Sequence, residues 1–331
     1  MNRRMIPLTL LLMGSLGLAA CRPAARTPLP PAPTVLPTTP TPATASDPPT
    51  PPPLPHAQPE TTTVLLLGTD RRSLDRNAEN TDTLILFHLD PNASRVVILS
   101  IPRDLYVEIP GHGEGRINTA YACGEQDGTG GLALASQTIS TTLGIPVQHA
   151  ALLDFHVFVS LIDAVDGIDV DVPYPISDPT YPDIATGYDP FYLPAGQHHL
   201  DGATALKYAR TRATPGSDFD RNARQRQVVL AVADRVKRLD LLPALIAQSP
   251  QLWSTLQSTF ETDLTLGEIV DLAVVGSRVP TDRIVTAGID QTCTHFWTTP
   301  SGADVLIIDR DATDELVARI FAPPPATAAA Q

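Results

Sequence analysis

The sequence predicts an α/β domain in which helices pack on a central mixed β-sheet, on three observations. Short runs rich in leucine and β-branched residues recur from residue 62 onward, helix-period segments alternate with them, and turn residues separate the two kinds of segment. Val64 to Leu67, Thr83 to Leu89 and Arg95 to Ile101 read as adjacent strands, the last two joined by the turn signal Asp90, Pro91, Asn92. Residues 130–143 read as a helix stopped by Gly144, and Val147 to Leu153 as a further strand. A helix over 155–165, a strand from Ile168 to Val172 and a short helix from Asp201 to Ala209 follow. Beyond residue 222 the chain is mostly helical, with Thr265 and Glu268 spaced as a capping box, and Arg283 to Ala287 and Val305 to Ile308 are late strands. The pattern places a domain core at 62–240, an extension packed on it at 241–322 and a tail at 323–331.

The first sixty residues are different in kind. Arg3 and Arg4 precede an apolar stretch from residue 6 to 20 that ends in Ala19 and Ala20, which reads as an export signal. At 15 residues it is short for a membrane span. Leu18, Ala19, Ala20 and Cys21 resemble a lipoprotein signal box in which Cys21 carries the lipid; an ordinary cleaved signal or short anchor is the other reading. Residues 22–60 hold 15 of the chain's 34 prolines and no glycine, a composition suited to a stiff tether over 21–61 and not to a packed core. In an exported protein Cys123 and Cys293 are candidates for a disulfide, the alternative being two buried thiols.

A net charge of −13 argues against nucleic-acid binding through general phosphate attraction, so any anion site must be local. Lys207, Arg210, Arg212, Arg221, Arg224 and Arg226 crowd into twenty positions. Arginine's planar fork can hold two phosphate oxygens at once, but a solvated patch paired with Asp218 and Asp220 has the same sequence signature. On a helix beginning near 221, Arg221 and Gln225 continue into Val228, Val232 and Val236 on one stripe, so polar groups start a face that later turns inward and needs a partner there. Asp70 and Asp82 fall at neighbouring strand ends, where they would serve a hard cation such as Mg²⁺ or simply form turns. Arg103 and Asp104 follow the third strand, and Arg116 follows the glycine-rich stretch 111–115; each is a ligand group or a surface ion pair.

Taken in order, several segments resemble the LytR-CpsA-Psr family from residue 62 to about 237: Leu67 to Asp70; Asn80 to Thr83; Ser100 to Asp104; Arg116 to Tyr121; and Asp166 to Pro173. The resemblance continues through Leu200 to Gly202, Ala205 to Arg212, Asp218 to Arg221, Arg224 and Gln225. It implies an α-β-α enzyme that moves a glycopolymer phosphate from a polyprenyl-pyrophosphate carrier to a peptidoglycan or other wall-glycan hydroxyl, at the outer face of the membrane. By resemblance, Asp70 and Asp82 bind Mg²⁺ or Mn²⁺, and Arg103, Arg116, Arg210, Arg212, Arg221 and Gln225 hold the pyrophosphate. Asp218 orients those arginines and joins Asp70, Asp82 and Arg103 in catalysis, while Val228 and Val232 contribute to an apolar tunnel for the lipid tail.

Three departures stand out: a lipoprotein-like box where the family often has a transmembrane helix, arginine rather than lysine at 116, and Asp220 where the family usually has glycine. A hydrolase using water on the same groups, a lipid or glycan binding module, and a regulator are the competing classes. The export signal and the acidic balance weigh against a nucleic-acid-binding regulator.

Overall fold

The computed structural model describes residues 61–69, 80–183, 187–238, 240–256 and 260–322, so Cys21, Asp70 and the proline-rich segment lie outside the described residues. Elements in chain order are β1 (Thr62–Thr69), β2 (Thr81–Asp90), β3 (Arg95–Ile101), β4 (Tyr106–Ile109), β5 (Gly113–Arg116), α1 (Ala120–Asp127), α2 (Gly131–Leu143), β6 (His149–Leu153), α3 (Phe155–Ala164) and β7 (Ile168–Val172). There follow β8 (Ile176–Asp178), β9 (Phe191–Leu193), β10 (Gly196–Leu200), α4 (Gly202–Arg210), α5 (Ser217–Arg238), α6 (Leu242–Leu256), β11 (Glu261–Thr262), α7 (Leu266–Ser277), β12 (Ile284–Gly288), β13 (Thr294–Thr298), β14 (Asp304–Ile308) and α8 (Arg310–Phe321).

The central sheet has the order β11-β6-β1-β2-β3-β12. β1, β2 and β3 form an antiparallel meander, while β6 joins β1 and β12 joins β3 in parallel, which makes the sheet mixed. Ser94 N donates to Pro91 O at 3.2 Å and Ala93 N to Asp90 Oδ1 at 2.9 Å, closing the predicted turn between β2 and β3.

Successive side chains on a strand face opposite ways. Leu65, Leu67, Leu84, Leu86, Val97 and Leu99 therefore pack into one large core with Tyr121, Leu134, Ile139, Leu316 and Phe321 from the helices of that side. The other face carries Val64, Leu66, Phe87 and Ile98 toward α5 and α7. A sheet covered on both faces is why the strands read as near-continuous apolar runs. A second core joins the β7–β10 hairpin, the β8–β9 hairpin, α4 and the inner face of α5, through Ile168, Val170, Leu193, Tyr208 and Val228.

Local signals fix several boundaries. Gly144 ends α2 in the left-handed region, Asp154 caps α3 by accepting from Val157 N at 2.8 Å, and Thr265 with Glu268 completes the capping box that starts α7. α5 begins at Ser217, one turn before its expected start, so Arg221 sits in its second turn. The short strands β4, β5, β8 and β9 have three or four residues each and carry too little periodicity to be read from sequence.

The expected bridge between Cys123 and Cys293 is not formed: both are free. Both belong to the large core from different elements, Cys123 on α1 and Cys293 in the turn before β13, whose sulfur lies 3.9 Å from Ala312 O. Each acts as a small apolar group in its own packing site.

At the α3–β7 junction Asp166 and Gly167 both take positive φ, 58° and 78°. A Cβ on Gly167 would stand 2.7 Å from Leu200 O and 2.5 Å from His199 Nε2. Gly167→Ala is expected to lower unfolding free energy by roughly 2–4 kcal/mol, from left-handed strain plus the clash, as read by urea denaturation.

Candidate functional site

The functional groups meet where β1, β2 and β3 end and α5 begins. Arg103, just past β3, places Nη1 2.5 Å from Asp82 Oδ1, and its Nε lies 3.4 Å from Asp104 Oδ2 and 3.6 Å from Asp218 Oδ2. Burial alone would depress this guanidinium, but Asp82, Asp218 and Asp104 outweigh it and hold its pKa above the ordinary arginine value.

Arg221 is the opposite case. Its side chain is 3 % exposed, and Nη2 donates to Asp218 Oδ2 at 2.8 Å and to Asp82 O at 3.2 Å. Burial pushes its pKa down to about 10; Asp218 and Asp82 resist, while Arg212 and Arg103 add to the depression. It remains a cation at neutral pH, with its Nε buried and lacking a hydrogen-bond partner. Asp218 also approaches Arg212, Oδ1 to Nε 3.2 Å, so one carboxylate touches three guanidinium groups.

Asp82, Arg212 and Arg221 of this cluster line a cavity of about 550 Å³ together with Arg210 and Gln225 and with the apolar Leu66, Ile85, Phe158, Val228 and Val229, whereas Arg103 and Asp218 contact these residues without lining it. Arg210 is held against Phe155, 3.9 Å from guanidinium carbon to ring centre, and donates from Nη1 to Tyr181 OH at 3.0 Å. Gln225 Nε2 donates to Thr83 Oγ1 at 2.9 Å, tying α5 to β2. Leu66 and Val229 also line a second, almost wholly apolar cavity of about 390 Å³ between the sheet and α5 and α7, walled by Val64, Phe87, Ile98, Ile269 and Leu272.

Of the described candidates, Arg103, Asp218, Arg116 and Val232 do not line this cavity; the first two join it through Asp82, Arg212 and Arg221, the other two fall elsewhere. Arg116 is not on the cavity wall: its Nε lies 3.4 Å from Asp104 Oδ1 and its Nη2 donates to Asp304 O at 2.7 Å, so it supports the outer side of Arg103. Val232 lines neither cavity and packs instead against the second core; Val228 and Val229 take the lining positions.

Two members of the basic cluster proved structural. Arg224 donates to Tyr208 O at 2.9 Å, to Thr214 Oγ1 at 3.2 Å and to Thr211 O, pinning the loop that carries Arg212. Lys207 pairs with Asp189. Asp220 accepts from Tyr174 OH and from Gly216 N, both at 2.9 Å, and fixes the same loop from its other side. Sequence reasoning left out Phe155 and Tyr181, whose rings position Arg210, since isolated aromatics carry no local signal.

The donor set suits a hard cation at the strand ends. Asp82, 41 % exposed, lines the cavity beside Thr69, whose buried Oγ1 lacks a partner, and Asn118 Oδ1 is a second buried oxygen without one. Thr69 pairs with Thr81, next to Asp82, and Asp70 follows Thr69 in the chain. No group of three or more carboxylate, histidine or cysteine side chains clusters among the described residues. A Mg²⁺-type ion takes one or two carboxylates and completes its shell with water and phosphate oxygens.

The chain matches the LytR_cpsA_psr family over residues 41–321. It is 32 % identical over 237 residues, 71 % of this chain and 69 % of the relative, to the polyisoprenyl-teichoic acid–peptidoglycan teichoic acid transferase TagU of Oceanobacillus iheyensis. To TagV of Bacillus subtilis it is 31 % identical over 230 residues, 68 % of this chain and 56 % of that one. The crystal structure of B. subtilis TagV superposes with a TM-score of 0.64 at 25 % identity, covering 81 % of this chain and all of that one. A structure of TagT bound to LI-WTA superposes with a TM-score of 0.59 at 25 % identity, covering 78 % and 89 %. With the fold, the strand-end carboxylate and the arginine cluster of α5 all accounted for, the chain belongs to the LytR-CpsA-Psr family.

Proposed function

We propose that this protein is a phosphotransferase that moves a phosphate-linked glycopolymer from a polyprenyl-pyrophosphate carrier to a peptidoglycan hydroxyl. The observation that carries the reading is a set of guanidinium groups, Arg210, Arg212 and Arg221, lining a cavity whose other walls are largely apolar, with Arg103 tied to them through Asp82 and Asp218. A pyrophosphate with a long hydrocarbon tail fits both halves of that site at once. Relatives above 30 % identity are named as teichoic acid–peptidoglycan transferases, which supports the same substrate class.

The acceptor oxygen attacks the phosphorus attached to the sugar, the bond from that phosphorus to the bridging oxygen breaks, and polyprenyl phosphate leaves. Phosphoryl transfer asks the protein mainly for positioning and for cations opposite the phosphate oxygens. Arg103, Arg212 and Arg221 supply those cations, Arg210 closes the cavity wall beside them, and Asp218 keeps the guanidinium groups aimed at one point. A carboxylate near the metal accepts the proton of the attacking hydroxyl. A Mg²⁺ or Mn²⁺ ion held by Asp82 and Asp70 would neutralise charge on the pyrophosphate oxygens. The tail runs past Val228 and Val229 toward the second cavity, where Leu66 and Val229 form the shared wall. A lipid at Cys21 and a proline-rich tether place this chemistry outside the membrane, within reach of the wall.

Incubating the full chain with a labelled lipid-linked saccharide, with and without wall glycan, is expected to put label on the glycan. Label found only as a free phosphorylated saccharide would mean a hydrolase. Arg103→Ala is expected to lower transfer by about 10²–10³-fold, the usual cost of one transition-state cation or donor. Chelation should abolish transfer, with recovery on adding Mg²⁺ or Mn²⁺; unaltered turnover in excess chelator would remove the metal from the mechanism. Val229→Trp should block long-tailed donors while leaving short prenyl donors active, read as a change in relative KM between tail lengths.

A further inference from the structure

The core-facing residues of β4 are Val107 and Ile109, preceded by Leu105, so Asp104, Tyr106 and Glu108 lie on the alternate, outward side. Tyr106 is opposite Arg116 in the β4–β5 pair, and Arg116 reaches the Asp104 carboxylate, which in turn contacts Arg103. The β13–β14 hairpin is fastened to this same side: Leu306 N donates to Asp104 O at 2.9 Å and Arg116 to Asp304 O at 2.7 Å. Across the join the rings of Tyr106 and Trp297 meet edge to face, 5.7 Å apart at 60°. Trp297 is nevertheless 42 % exposed, a large amount of apolar ring in water.

An outward aromatic surface is thus linked through Arg116 and Asp104 to Arg103, and its rim is acidic. Glu108 and Glu114 stand opposite each other, and Asp304 lies opposite Thr298, accepting from its hydroxyl at 2.7 Å. Anionic lipid headgroups would be repelled there. A neutral sugar is not: its C–H face stacks on an indole ring, and its hydroxyls donate to carboxylates.

We propose that Trp297, braced by Tyr106, is a stacking platform for a pyranose ring of the acceptor glycan, which it holds so that a neighbouring sugar hydroxyl meets the phosphate beside Arg103. The proposal rests on the transferase reading and deepens it by locating the acceptor side. It also assigns work to a hairpin outside the strongest sequence motifs. Phe296, its neighbour, is 77 % exposed but pairs with Leu306 on the opposite face of the hairpin, which makes it an internal control.

The test uses the full chain carrying Trp253→Phe, so that Trp297 is the tryptophan reporter, titrated with a soluble peptidoglycan tetrasaccharide and separately with inorganic pyrophosphate. Saturable quenching by the tetrasaccharide is expected. Calorimetry on the Trp297→Ala variant should show tetrasaccharide affinity lower by about tenfold, largely retained in Trp297→Phe and unchanged in Phe296→Ala, with pyrophosphate binding equal in all. In transfer assays Trp297→Ala should raise the KM for glycan with kcat at saturation preserved. Wild-type affinity in Trp297→Ala, an equal loss in Phe296→Ala, or no tetrasaccharide binding by the parent would overturn the proposal. So would binding of anionic phospholipid vesicles in its place, or a dimer that depends on Trp297. Binding through Trp297 with no transfer by the parent would leave the platform standing and remove the transferase reading instead.

Discussion

Three guanidinium groups share one carboxylate. Arg103, Arg212 and Arg221 all approach Asp218, and like charges held this close repel in proportion to how well water is excluded. Arg221 records that repulsion: burial, with Arg212 and Arg103 nearby, lowers its pKa to about 10 against the pull of Asp218 and Asp82. It keeps its charge at neutral pH because a pKa of about 10 still lies well above that pH. Asp218 alone does not neutralise the three guanidinium groups it touches, and Arg221 Nε is buried without a hydrogen-bond partner, so an anion suits the open side of the cluster.

Such a cluster needs a rigid frame, and the surrounding contacts supply it. Arg224 and Asp220 clamp the loop between α4 and α5 through backbone groups, so that Arg212 and Asp218 cannot separate. Phe155 and Tyr181 hold Arg210 flat against the cavity wall. Gln225 ties the third turn of α5 to Thr83, which keeps Arg221 over the end of β2. The departure from glycine at Asp220 fits this frame, since its carboxylate takes the Gly216 N–H that would otherwise face into the loop.

The apolar space behind the arginines follows from the same architecture. A sheet packed on one face by α1, α2 and α8 has a complete core there, whereas α5 and α7 leave the opposite face incompletely filled. Empty apolar volume costs stability unless something occupies it. In the proposed function a hydrocarbon tail would gain by filling that space what the folded protein alone forgoes.

Much of this was legible in the residues themselves. The meander β1 to β3, the glycine stop of α2 and the capping box of α7 are short-range patterns, set by side-chain periodicity and backbone hydrogen bonding within a few residues. The positions of Asp82 and Arg103 at strand ends were likewise readable, whereas α5 starts a turn earlier than its pattern suggested and takes Arg221 into its second turn. The convergence of the three was not readable, because it depends on how β2, β3 and α5 cross, and those contacts join residues 139 apart in the chain. For the same reason the sequence could not separate Arg221 from Arg224, three positions on along one helix: packing alone turns the first toward the cavity and the second onto backbone carbonyls. Only the tertiary structure moved Arg116 and Val232 off the cavity wall, left the two cysteines free and brought Trp297 against Tyr106, since each outcome is decided by which distant surfaces bury one another.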